Sequence, residues 1–214
     1  MTYRAQHQGR PRGHTVAAVL CALGTLAMAF GAAVLVGPRY TGGAGPVRPA
    51  AASAGTPADG QGPTVPEEVR GPGFRARLVP VAARGDGALD LPDDARSGAW
   101  WALGAPAGAE RGTVLVAGHV DTRRAGLGVF AALHGLRVGA KIDLIGANGR
   151  AYRYVITARR TYPRQSLPPG LFSRAGPHRL ALVTCTGVYD GTTGGYDRNL
   201  VLYAAPARRH GAMA

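Results

Sequence analysis

Beyond residue 74, apolar residues come in short bursts divided by turn residues. Tyr152, Tyr154 and Ile156 alternate with Arg153, Val155 and Thr157, the two-residue period of a strand with one wet face. Strands are predicted at 78–81, 112–117, 141–145, 151–159, 179–184 and 200–204. Ala147-Asn148-Gly149, lying between two of them, is a hairpin signal. Val129, Phe130, Leu133 and Leu136 carry helix spacing and predict one short helix, with a further turn near 168–172. Many short strands with one or two short helices predict a mostly β fold, a closed or nearly closed barrel.

The first third of the chain follows another pattern. Thr15 to Val36 are 22 consecutive positions without a charge. As a helix, at about 1.5 Å per residue, they span roughly 33 Å, enough for a bilayer core of about 30 Å. Arg4, Arg10 and Arg12 precede this run with no acidic residue, which keeps the N-terminus in the cytoplasm and sends the rest outside. A cleaved signal peptide is the rival reading, but its apolar core is about 7–15 residues and leads directly into a small-residue site. The expected layout is therefore a cytoplasmic end (1–14), a single transmembrane signal anchor (15–36), a flexible Pro/Gly/Ala-rich linker (37–73), a β-barrel (74–207) and a tail (208–214).

From Phe74 onward the chain holds 19 Arg plus Lys and 9 Asp plus Glu, so 19 − 9 = +10 for the exported part. Such a charge favours solubility or attraction to anionic membrane or wall polymer, and an outward-facing domain makes nucleic acid a poor partner. Cys21 lies in the membrane segment and Cys185 in the exported domain, so they cannot pair. An unpaired thiol in an exported protein is a liability unless its chemistry is used; otherwise it is a small buried hydrophobe.

Cys185 follows the apolar run Leu180-Ala181-Leu182-Val183-Thr184 and is expected to end a strand. A glycine-rich loop from Thr186 to Asp197 is expected next, bordering a ligand groove, and Arg198 opens the following strand. If the two strands are antiparallel, Cys185 and Arg198 become neighbours. His119 follows Gly118 at the end of another predicted strand. His178 lies at the far end of the Cys185 strand, about 20 Å or more away. His134 reads as a surface residue, while His7, His14 and His210 fall outside the predicted barrel. A thiol needs a cation to favour its thiolate, a histidine to move protons and a donor for a developing oxyanion. Cys185, His119 and Arg198 together suit acyl transfer through a thioester.

Val183-Thr184-Cys185, Ala117-Gly118-His119 with Asp121, and Tyr196-Asp197-Arg198-Asn199-Leu200-Val201-Leu202 resemble the cysteine, histidine and arginine motifs of sortases. The order His, Cys, Arg and the N-terminal anchor agree, and the resemblance runs from about Ala76 to Ala205. Gly118-His119-Val120-Asp121, followed by Gly128-Val129-Phe130 and Leu133, looks most like class F, with class E next. The resemblance implies an eight-stranded β-barrel and a membrane-anchored, extracellular cysteine transpeptidase. It implies that Cys185 attacks the Thr–Gly bond of a Leu-Pro-X-Thr-Gly-like sorting signal. His119 then protonates the leaving amine, and Arg198 steadies the carbonyl oxygen. The partners implied are secreted proteins bearing sorting signals and an amine acceptor such as a peptidoglycan precursor.

Thr184, Asp121 and Tyr196 are weaker candidates. Thr184 orients substrate or finishes a strand; Asp121 tunes His119, grips the amine or caps a loop. Trp100 and Trp101 are expected to pack on the barrel. No Cys-x-x-Cys or His-x-x-x-His spacing marks a metal site, no cofactor is expected, and calcium dependence is not legible. Two alternatives stay open: an anchored barrel that binds anionic wall polymer with an inert Cys185, and an L,D-transpeptidase, which the 66 positions between His119 and Cys185 disfavour.

Overall fold

The computed structural model describes residues 43–44, 62–84, 88–192 and 194–207. The expected cytoplasmic end, membrane segment and tail (1–14, 15–36 and 208–214) lie outside the described residues. Eight strands close into a barrel: β1 (Pro66–Gly71), β2 (Phe74–Val81), β3 (Gly98–Trp101), β4 (Thr113–Ala117), β5 (Lys141–Gly146), β6 (Ala151–Pro163), β7 (Arg179–Asp190) and β8 (Gly195–Pro206). Around the barrel they run β6-β8-β7-β4-β3-β2-β1-β5, and β5 pairs with β6 to close the circle. The β4–β7 and β2–β3 pairs are parallel and the other barrel pairs antiparallel. Gly43–Ala44 adds a two-residue backbone pairing to β6.

The strand alternation sorts side chains into two cores. Val114 and Val116 of β4, Leu180 and Leu182 of β7, and Leu200 and Leu202 of β8 fill the barrel. Leu115, Ala117, Ala181, Val183, Val201 and Tyr203 point outward from the same strands into a second cluster with Leu171. Leu89, Leu91, Leu167 and Phe172 pack against it. Both faces of β7 are therefore dry, which explains its unbroken apolar run. Each fully buried leucine contributes about 1.5–3 kcal/mol.

A 3-10 helix at Val129–Gly135 plugs the barrel with Phe130 and Leu133, the apolar pair expected there. Arg159 of β6 donates to the carbonyls of Leu133, His134 and Leu136, satisfying the acceptors at the helix C-terminus. A second 3-10 turn spans Pro169–Phe172. The hairpin at Ala147-Asn148-Gly149 forms as expected, with Gly149 at positive φ. Trp100 and Trp101 are buried against the barrel.

Two expectations are corrected. The stretch read as linker through 73 ends in a barrel strand: β1 pairs with both β2 and β5, and its Val69 is 0% exposed. Pro72-Gly73, with Gly73 at positive φ, makes a two-residue turn into β2, and Glu68 is braced by Arg70 and Arg75. Likewise, Cys185 does not end its strand. β7 continues to Asp190 and pairs with β8 from Gly195, with a register shift between Thr186 and Tyr189. The expected loop from Thr186 to Asp197 is largely a hairpin, held by cross-strand hydrogen bonds rather than by burial.

Candidate active site

The site is built where β4 and β7 run side by side. Their parallel register pairs Ala117 with Val183, and the Gly118 N–H extends it by donating to the Val183 carbonyl at 3.1 Å. Thr184 donates its hydroxyl to the Gly118 carbonyl at 2.9 Å. His119 follows Gly118 and Cys185 follows Thr184, so each leaves this tied pair by one position. Within β7, Cys185 continues the outward-facing row of Ala181 and Val183.

Glycines make this approach possible. A Cβ on Gly118 would run into the ring of Phe130, and one on Gly128 into the His119 carbonyl. The loop leaving His119 turns back as a short ribbon, Asp121–Thr122 against Gly126–Leu127.

On the other side of β7, Cys185 pairs with Asn199, and Asn199 pairs in turn with Tyr162 of β6. Register therefore aligns Cys185, Asn199 and Tyr162 across β7, β8 and β6. Arg198 opposes Thr186 and Pro163, one position from Asn199. Its Nε lies 3.5 Å from Oδ2 of Asp197, and its side chain is 53% exposed. Its backbone is thus one position from the partner of Cys185, and alternation gives it the row of Leu200 and Leu202 rather than that of the thiol.

Thr184, at 2% exposure, continues the barrel-side row and spends its hydroxyl on Gly118, tying the two strands where thiol and imidazole emerge. Asp121 and Tyr196 are brought together: the Tyr196 hydroxyl donates to Asp121 Oδ2 at 2.6 Å. Tyr189 and Tyr196 meet edge to face at 5.4 Å, and Arg123 Nη2 donates to the Tyr189 hydroxyl at 3.4 Å. His178, seven positions before Cys185 and just ahead of β7, bonds Tyr154 at the other end of the barrel and has no path to the thiol.

Cys185 is a free, half-buried thiol. Burial pushes it above its ordinary value; the Arg164 guanidinium pulls it down and the Asp121 carboxylate pushes it up again. Arg164 was not singled out in the sequence, where it follows Pro163 at the end of β6 in a run of exposed polar residues. Its signal is the pairing of β6 with β8, which an isolated reading of either strand does not show. Among the described residues no cluster of three or more His, Cys, Asp or Glu side chains stands ready to hold a metal ion.

Residues 72–207 match the family model of the sortase domain. No curated protein matches the chain. Among solved structures, Streptococcus agalactiae sortase C1 in complex with MTSET shares 16% identity over 66% of this chain and 68% of its own, with a TM-score of 0.52. The pilus-related sortase C of Group B Streptococcus shares 12% identity over 70% of each chain, with a TM-score of 0.51. At such identities the structural likeness speaks for the fold.

Proposed function

Given that the chain belongs to the sortase family of cysteine transpeptidases, we propose that it is a class F-like enzyme acting on Leu-Pro-X-Thr-Gly-like sorting signals at the outer face of a membrane. The observation that carries this reading is the double tie between Gly118 and the Val183-Thr184 segment, whose next residues along the chain are His119 and Cys185.

In the proposed reaction the Cys185 thiolate attacks the carbonyl carbon of the signal's Thr–Gly bond. The tetrahedral adduct collapses as protonated His119 gives its proton to the departing glycine nitrogen, leaving a thioester on Sγ. An incoming amine, from a peptidoglycan precursor or an equivalent acceptor, then attacks the thioester and yields its proton to His119. The thiolate leaves with the sulfur's electron pair. Arg198, reaching from the neighbouring strand of the hairpin, is assigned to supply donors to the carbonyl oxygen as negative charge builds there. Buried Thr184 acts through the strands it ties. The uncharged run 15–36 is assigned as the anchor that keeps the barrel at the cell surface.

A quenched Leu-Pro-X-Thr-Gly peptide library, offered to the full-length protein with an amine acceptor, tests the reading. Cleavage after Thr with the acceptor joined to the Thr carbonyl is expected, and Cys185→Ala abolishes it. A library left intact by the folded protein contradicts the assignment and favours the barrel as a binding module.

A further inference from the structure

His178 is a partly buried histidine that the proposed reaction does not use, and three parts of the barrel meet at it. β7 begins at the next residue, Arg179, whose N–H donates to the Gly112 carbonyl at 3.1 Å. Gly112 donates its own N–H to the Gly176 carbonyl at 3.0 Å, and Arg111 bridges Pro177. β4 begins just after, at Thr113, paired in parallel with Arg179. A Cβ on Gly112 would lie 2.7 Å from the Arg174 carbonyl oxygen, so a glycine here lets the two strand starts close on each other. The His178 side chain reaches a third strand. Its Nε2 lies 2.8 Å from the Tyr154 hydroxyl of β6, with the rings tilted at 49°. Tyr154 is 1% exposed.

This seat suits a neutral ring. Burial pushes the Tyr154 hydroxyl above its ordinary value, so it stays un-ionised and offers no negative charge. His178 Nδ1 is shut off from solvent and has no hydrogen-bond partner. Nearby stand the carbonyls of Arg111 and Gly112, from the segment before β4, though neither bonds it. Glu110 and Arg111 are exposed residues. On β7 the Arg179 guanidinium turns to Thr113 Oγ1 and the Gly170 carbonyl. On β6 the Tyr152 hydroxyl is engaged by Gly62 and Asn148. Among the described residues no carboxylate balances the ring, so burial pushes His178 below its ordinary value and the two carbonyls pull it only partway back. A neutral imidazole carries one N–H and a charged one carries two. The second must then draw on acceptors such as the Gly112 carbonyl, which already takes the Arg179 N–H that ties the two strands.

We propose that the His178–Tyr154 pair is an acid-sensitive brace on the barrel. Neutral His178 fastens the shared start of β4 and β7 to β6. Protonated, it carries a charge that the seat leaves unbalanced, and the strand starts open. β4 leads to His119 and β7 carries Cys185, so acid loosens the frame of the site from its far end. The brace belongs to the barrel and stands whatever reaction the thiol performs. An opened chain protonates His178 near the ordinary value of 6.5, and the closed barrel does so only at lower pH. The pair's contribution to stability is therefore complete above that value and is lost as pH falls toward the folded one.

Hydrogen exchange of the full-length protein, read by peptide mass spectrometry at pH 7.5 and 5.5 and corrected for the intrinsic rate, tests the brace. Peptides covering 111–117 and 178–184 are expected to lose protection about three- to tenfold at the lower pH. His178→Gln keeps a polar atom in reach of Tyr154 but takes up no proton, and is expected to lose little. The other histidines are unchanged in that variant, so their titration cannot account for the difference. Slow exchange of the imidazole Cε1–H, followed on the same peptides of the native protein, gives the titration of His178 itself and needs no variant to fold. Its midpoint is expected below 6.5. Equal protection of the native protein at the two pH values overturns the proposal, as does an acid loss as large in His178→Gln as in native. A ring that titrates at or above its ordinary value does the same.

Discussion

The Tyr196 hydroxyl lies 2.6 Å from Oδ2 of Asp121, and this bond joins the hairpin that carries Cys185 to the loop that carries His119. The bond to the carboxylate, with a smaller contribution from burial, raises the Tyr196 hydroxyl above its ordinary value, so it stays a donor throughout the working range. Nucleophile and histidine come from strands 66 positions apart. Their relative placement depends on this latch and on the Thr184–Gly118 bond.

Tyr196→Phe removes the latch and little else. Acyl transfer is expected to slow about tenfold, because proton transfer depends on placement at the level of an ångström. The melting temperature should move little, since the pair sits at the surface. Steady-state kinetics beside a thermal melt decides the point, and an unchanged rate shows that the His119 loop holds its place without the bond.

Thr184→Val keeps the shape and deletes the hydroxyl that serves the buried Gly118 carbonyl. A loss of about 1–3 kcal/mol in urea unfolding is expected from the orphaned acceptor, with reduced activity. Thr184→Ser should recover most of both. A valine variant as stable as native would mean that the Gly118 carbonyl finds another donor.

Much of this was legible in the chain because burial writes a pattern. The two-residue alternation at Tyr152, Tyr154 and Ile156 reports one wet face, and the unbroken Leu180–Thr184 run reports two dry ones. What stayed hidden is held by hydrogen bonds or turns. In β1 only Pro66 and Val69 are buried, so its sequence carries no period. The hairpin beyond Cys185 is exposed and irregular at Thr186–Tyr189, and its glycines read as a loop. The row from Cys185 through Asn199 to Tyr162 exists only once three strands are paired.

The hidden strand bears on where the domain begins. A chain started at Gly73 lacks β1, leaving β2 and β5 without their shared partner and the barrel open. It is expected to unfold without a cooperative transition, whereas a chain started at Gly62 should melt as a unit. Equal melts from the two chains would show that β1 is dispensable for closure.

Burial, together with Asp121, holds the thiol above its usual range despite Arg164. Most molecules near neutral pH therefore carry a neutral thiol, and the first step draws on a small thiolate fraction. Alkylation of Cys185 by iodoacetamide, which needs the thiolate and no proton from His119, is expected to climb up to tenfold per pH unit as pH rises from 7, levelling once the thiol ionises. Timed quenching followed by peptide mass spectrometry of Cys185 gives this profile. A rate independent of pH between 6 and 9 would mean the thiolate is already formed.

The account turns on covalent chemistry at Cys185, and the acyl adduct is its most direct witness. Full-length protein mixed with a Leu-Pro-X-Thr-Gly peptide and no amine acceptor, quenched in acid and digested, should show the Cys185 peptide heavier by the acyl fragment ending in Thr. The added mass should be released by hydroxylamine and absent in Cys185→Ala. Cleavage of the peptide with no adduct at Cys185, or an adduct that persists in Cys185→Ala, would contradict the assignment of this thiol as the nucleophile.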